Sequence, residues 1–176
     1  VTAKDTAEIQ LDENGEFVRN LEEDIVKVAV VERHQGTGNV ACGFLKGYGI
    51  KAGAVALSIA HDSHNIIVVG VSDEEMEFAV NSLIAQEGGM VLVREGKVLE
   101  SMPMPIAGLM SDQSGEWVDE KLTAIHAKAY EELGIAGDVE PVMTLCFMSL
   151  AVIPEVKLTD MGLFDVTTFS FIPVEA

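Results

Sequence analysis

Residues 56–70 read ALSIAHDSHNIIVVG, with His61, Asp62, Ser63, His64 and Asn65 set inside an apolar run. Together these side chains offer two imidazoles that titrate near neutral pH, a carboxylate, a hydroxyl and an amide. Such groups suit proton transfer, recognition of a polar ligand, or metal ligation. Histidines at i and i+3 share one face of a helix but point to opposite faces of a strand. The flanking runs Ala54–Ala60 and Ile66–Val71 read as buried strands. The imidazoles therefore meet only if Asp62-Ser63 forms a turn, and both are turn residues. Two readings stand side by side: polar groups that satisfy one another and shape a loop, or a binding or catalytic cluster. Metal ligation is the weakest of the three, because no third ligand falls at a recognised spacing. His34, in ERHQGTGN, supplies one only if the two segments meet in space.

Two more stretches carry polar or close-approaching backbone. Arg33-His34-Gln35-Gly36-Thr37-Gly38-Asn39 is a glycine-containing turn after a buried strand. Gly36-x-Gly38 is not a phosphate loop, since the chain continues as a strand from Asn39 instead of opening a helix. It is either a plain tight turn or a second loop lining the same site, through Arg33, His34 and Asn39. In PMPIAGLMSD, residues 103–112, prolines two apart remove donors and fix φ, which predicts a shaped loop. That loop is either structural or a close-approach surface for a ligand or partner domain. His126 lies beside the apolar stripe of a helix and reads as partly buried surface. Neither a G-x-S-x-G nucleophile motif nor the H-x-E plus P-C-x-x-C deaminase signature is present.

The elements that must position these groups follow from periodicity. Residues 1–24 read as a peripheral hairpin or connector about Asn14-Gly15, and residues 25–176 as the main domain. Strands are predicted from Ile25, over 40–45, 54–60 and 66–71, and on both sides of a Glu95-Gly96 turn. Ser72 with Glu75 forms a capping box for a helix stopped at Gly88-Gly89. A second helix spans about 115–133, with Val118, Leu122, Ile125, Ala129 and Leu133 on one stripe. An apolar run from Met143 to Ile153 ends at Pro154, and 169–172 reads as a closing strand. The expected fold class is α+β (mixed α/β), a mixed β-sheet with two main helices and no metal-binding barrel.

Composition narrows the partners. The 176 residues hold 11 basic and 29 acidic side chains, a net charge of −18. That field repels phosphate backbones and anionic membranes, which argues against nucleic acid and membrane as partners. Cys42 and Cys146 are far apart in apolar surroundings, which predicts two reduced, buried thiols and a cytoplasmic location. No run reaches the roughly 18 apolar residues of a membrane span. The chain starts at Val1 instead of Met, as expected of a processed chain or a part of a longer protein.

The strings VKVAVVERHQGTGNVACGFLKGYGIKAGAVALSIAHDSHNIIVVG, GGMVLVREGKV, PMPIAGLMSD and MTLCFMSLAVIPEVKLTDMGLFDV follow one another in order. Over roughly residues 25–168 they resemble the C-terminal domain of bacterial and archaeal adenine deaminases, in the amidohydrolase superfamily. The resemblance implies hydrolysis of adenine to hypoxanthine and ammonia, performed on a preceding barrel that holds divalent metal (Mn, Fe or Zn). With four histidines (His34, His61, His64, His126) and no H-x-H pair, this chain is expected to bind no metal and to be inactive alone. The implied partners are that barrel, on the same or another chain, adenine in the complete enzyme, and further copies in a homo-oligomer. The implied site is a polar cluster of His61, Asp62, His64 and Asn65 facing the active site. Arg33, His34, Asn39 and Ser63 would then bind substrate or the barrel. A stand-alone binding or assembly module of the same fold is the alternative.

Overall fold

The computed structural model describes residues 2–20 and 22–175. A six-stranded sheet carries the fold: β3 (Ile25–Val31), β4 (Val40–Lys46), β5 (Ala54–Leu57), β6 (Ile66–Gly70), β7 (Gly89–Arg94) and β8 (Lys97–Pro103), in spatial order β4-β3-β6-β5-β7-β8. Before it lies a two-stranded hairpin, β1 (Gln10–Leu11) with β2 (Phe17–Val18), turning at Asn14-Gly15. After it come β9 (Val156–Thr159), β10 (Gly162–Asp165) and β11 (Ser170–Ile172), a small antiparallel sheet of order β11-β10-β9. The helices are α1 (Asp73–Ala85), α2 (Gly115–Glu131) and the one-turn-and-a-half α3 (Pro141–Cys146).

The α+β class and the two main helices agree with the sequence reading. The sheet does not: every pair in it is antiparallel, where a mixed sheet was expected. The expectation failed because continuous apolar runs are the usual mark of parallel strands covered on both faces. Here the same coverage is reached with antiparallel strands. Val28, Val30, Val55, Leu57, Ile67, Val69, Met90 and Leu92 join Ile125 and Ala129 of α2, Leu133 just beyond it, and Val142 and Leu145 of α3 in one core. The alternate residues Ala29, Ala54, Ala56, Val68, Val91 and Val93 meet Met76, Ala79 and Leu83 of α1 in a second. Three of those sheet positions are alanine, which lets α1 lie close.

The Ser72 cap forms as the sequence predicts, accepting from the Glu75 N–H, while the Glu75 carboxylate accepts from the Glu95 N–H instead of closing the box. The structure adds two further caps: Ser114 accepts from the Trp117 N–H at the start of α2. In α3, the Glu140 carboxylate accepts from the Met143 N–H. Cys146 is buried as expected and its thiol is pushed up to about 12 by burial. Cys42 is not: it lies exposed on β4, the outermost strand, where only one side of each pleat finds cover. None of the described helices is long and apolar enough to cross a membrane.

Candidate functional site: one end of the central sheet

Because the strands alternate in direction, their ends gather. The end of β3, the start of β4, the end of β5, the start of β6, the start of β7 and the end of β8 all lie at one edge. The three stretches singled out from sequence are loops at these ends: 32–39 joins β3 to β4, 58–65 joins β5 to β6, and 104–112 leads from β8 toward α2.

The turn at 61–63 exists, and His64 closes it with its N–H donating to the Ala60 carbonyl at 2.7 Å. His64 has a φ of 53°, a left-handed conformation uncommon outside glycine and asparagine. The turn brings the imidazoles of His61 and His64 edge to face, 5.4 Å between centroids, and His61 also lies 5.0 Å from the ring of Phe147. Its N–H donates to Cys146 O and its carbonyl accepts from Ser149 Oγ at 3.3 Å, so the stretch after α3 braces the turn from behind. Asp62 and Ser63 are exposed, while Asn65 is buried. The Asn65 N–H donates to Ser63 Oγ at 3.4 Å and its Oδ1 accepts from the Arg33 N–H at 3.3 Å.

Loop 32–39 is organised by a residue the sequence reading passed over. The Glu32 carboxylate accepts from the N–H groups of His34, Gln35 and Thr37 and from the Thr37 hydroxyl. Those donors hold its pKa down at about 2. The signal was an acidic residue at a strand end followed by Thr five positions later, a spacing without a motif name. His34 is thereby placed so that its Nε2 meets Ser63 O at 2.7 Å. Asn39 stays at the base of the loop, its N–H on Thr37 Oγ1 and its carbonyl accepting from Glu32 N–H.

The 104–112 loop makes its tight turn at Ala107-Gly108, both with positive φ, and is closed by reciprocal bonds between Ile106 and Met110. A second overlooked residue, Ser58, is wholly buried beneath it. Ser58 Oγ accepts from the Gly89 N–H at 2.7 Å and donates to Gly108 O at 2.5 Å. Gly89 must be glycine, since a Cβ there would sit 2.0 Å from Met102 O. Arg33 links the loops from the other side, donating from Nε to His64 O and from Nη2 to Ala107 O.

The arrangement is a set of shaped backbone loops with exposed polar tips. Burial, then the nearby His61 and Arg33 charges, lower the pKa of His64, favouring its neutral form. Its Nδ1 is buried without a partner among the described residues. As for metal, His34 and the histidine turn do meet, yet the His34 Nε2 is taken up by Ser63 O. Among the described residues no three His, Cys, Asp or Glu side chains form a group able to hold a metal ion. His126 lies apart, its Nε2 2.5 Å from Glu140 Oε1.

Comparison with known proteins bears on what these loops serve. Residues 1–170 match the family model described as "Adenine deaminase C-terminal domain". The chain is 69% identical over its whole length to "Adenine deaminase 2" of Desulfotalea psychrophila, of which it covers 31%. It is 49% identical over 99% of its length to "Adenine deaminase" of Ligilactobacillus salivarius, covering 30% of that protein. It is 50% identical over 99% of its length to "Adenine deaminase 2" of Carboxydothermus hydrogenoformans, again covering 30%. The chain thus spans about a third or less of the length of these curated relatives. With a family match running through both layers of the fold and all three loops at the sheet end, this chain belongs to the adenine deaminase C-terminal domain family.

Proposed function

We propose that this chain is the C-terminal part of an adenine deaminase, a cytoplasmic amidohydrolase of purine metabolism that hydrolyses adenine to hypoxanthine and ammonia. In this reading the catalytic barrel and its divalent metal (Mn, Fe or Zn) belong to protein outside these 176 residues. The loop end of the sheet faces that barrel. The single observation that carries the proposal is the gathering of Arg33, His34, Asn39, His61, Asp62, Ser63, His64 and Asn65 at one edge. Buried Ser58 and the Arg33 guanidinium hold these loops rigidly without using the tips, which leaves the tips to meet something else. His61, Asp62 and His64 are the residues proposed to line the active site or the barrel contact. Arg33 and Glu32 are positioning residues behind them. The aromatic tip of the small sheet, with exposed Met161, Phe169 and Phe171, supports self-association of the complete enzyme as a homo-oligomer.

The test replaces the matched segment of the Desulfotalea psychrophila relative with this chain and measures ammonia release from adenine. The chimaera is expected to be active, and the 176-residue chain alone inactive with Mn²⁺, Fe²⁺ or Zn²⁺ added. His64→Ala in the chimaera should lower kcat/KM or weaken assembly. If the chimaera folds but releases no ammonia, or if His64→Ala changes neither property, the reading is wrong.

A further inference from the structure

Beside Phe147 lies a cleft of about 370 Å³ lined by Thr2, Thr144, Phe147, Met148, Ile153 and Lys157. Lys157 is the unusual member. It sits on β9 with a relative exposure of 3%. Its Nζ donates to Thr2 Oγ1 at 2.5 Å, and among the described residues no carboxylate lies within ion-pair distance of it. Glu155, two positions before Lys157, and Asp165, opposite Val156 in the β9–β10 register, are otherwise engaged. Glu155 accepts from the Lys4 N–H, and Asp165 accepts from Lys4 Nζ, Thr167 and Thr168. A buried ammonium whose charge is uncompensated is costly, and buried charges in proteins are normally paired. In a chain of net charge −18 that already has few cations, leaving one here unpaired calls for an explanation.

The path of the backbone indicates where the missing charge comes from. Thr2 is fastened at the cleft by a bridge to Glu155, with Thr2 N–H donating to Pro154 O and Glu155 N–H donating to Thr2 O. Thr2, bonded to Lys157, is thus the point at which preceding chain joins the described residues. In the longer relatives the greater part of the protein lies outside the matched segment, which the family model describes as C-terminal. The apolar walls of Phe147, Met148 and Ile153 would cover the stem of an entering acidic side chain.

We propose that the cleft at Lys157 seats a carboxylate side chain from the catalytic part that precedes this domain in its longer relatives. This rests on the reading of the chain as the C-terminal part of a deaminase. The ion pair fixes the junction between the two parts close to Phe147, and through Phe147 close to His61. Burial alone lowers the pKa of Lys157, in keeping with an ammonium that has no anion facing it within the domain.

The experiment compares thermal unfolding of the 176-residue chain and of the chimaera, each with Lys157→Met and Lys157→Arg. Methionine keeps the volume and removes the charge. In the chain alone, Lys157→Met should leave Tm unchanged or raise it, because an unpaired buried charge is lost. In the chimaera it strands the partner carboxylate, so Tm should fall by at least about 3 °C, down to failure to fold. Lys157→Arg should recover most of that fall. Equal shifts in both proteins, or loss of folding in the chain alone, would assign Lys157 to the domain's own packing and overturn the proposal. A shift in the lone chain that grows with its concentration would assign the cleft to a second copy and overturn it equally. The two readings separate cleanly: an active chimaera indifferent to Lys157→Met sinks only the junction. An inactive chimaera with the charge-dependent Tm difference sinks only the deaminase reading.

Discussion

Arg33 ties together two loops by reaching carbonyls 31 and 74 residues further along the chain: its Nε reaches His64 O at 2.5 Å while its Nη2 reaches Ala107 O at 2.8 Å. The guanidinium also lies flat against Gly108, where an added Cβ would come within 2.9 Å of it. One planar fork thus sets the distance between the histidine turn and the 104–112 loop. Lysine offers a point charge on a flexible stem and cannot hold both carbonyls in one geometry. Arg33→Lys in the chimaera should lower kcat/KM about tenfold, the loss of one charge-assisted hydrogen bond from the positioned state. The Tm should change little. Unaltered kinetics would show that the spacing of the two loops does not matter to the site.

Ser58 is the support beneath the same loop. Replacing it with alanine leaves the Gly89 N–H and the Gly108 carbonyl without their partner in a fully buried place. Stranding such groups costs about 1–3 kcal/mol, which for a chain of this size lowers Tm by roughly 2–10 °C. Calorimetry of Ser58→Ala against wild type measures it. A shift below about 1 °C, inside the range of ordinary surface substitutions, would mean that water or a neighbour replaces the hydroxyl.

Loop 32–39 should loosen in acid. The Glu32 carboxylate is held at about 2, below its unfolded value, by the N–H groups of Thr37, Gln35 and His34. A depressed carboxylate stabilises the fold fully above the unfolded pKa of about 4.3, and that stability is lost as pH falls toward about 2. Asp165, also held at about 2 by Thr167, Thr168 and Lys4, contributes in the same window. Amide exchange at Thr37 should therefore speed up between pH 4.5 and pH 3 relative to amides in β6, after correction for intrinsic rates. Glu32→Gln should show fast exchange throughout and no such change. A flat wild-type profile would contradict the role given to Glu32.

His64 acts in a different pH range. Its folded pKa is lowered by burial and by His61 and Arg33. The unfolded chain then takes up a proton more readily than the folded one, so stability is complete above the unfolded value of about 6.5 and declines as pH falls below it. His64→Asn keeps a residue that tolerates the positive φ and removes the titration. The urea midpoint of wild type should drop between pH 7.5 and pH 5.5 by more than that of His64→Asn. Parallel profiles would show that His64 does not titrate differently on folding.

Much of this architecture was legible in the residues themselves. The Ser72 cap, the Asn14-Gly15 and Glu95-Gly96 turns and the apolar stripe of α2 are local, and they form as read because their signals lie within one turn or hairpin. The run from Met143 to Ile153 carries no clear element signal in sequence, since Pro141 at the first turn and the Glu140 cap of α3 are too short a signal against an apolar background. The β9–β10 hairpin escaped notice for the same reason: four-residue strands joined at Asp160-Met161 carry little pattern.

What the residues alone determined was the α+β class and that His61 and His64 need a turn to meet, which follow from composition, spacing and local propensity acting over a few residues. The family was legible separately, in the resemblance of long strings such as HDSHNIIVVG and PIAGLMSD. Only the tertiary structure decided that the strands are all antiparallel, and hence that loops 32–39, 58–65 and 104–112 come to one edge. Strand direction is set by long-range pairing, and both parallel and antiparallel sheets accept the same buried runs. The partners of Arg33, Ser58 and Lys157 are likewise invisible in sequence, because each reaches residues dozens of positions away or more. The turn HDSHN entered as a polar break in a strand region, and the fold makes it the exposed corner of a braced end.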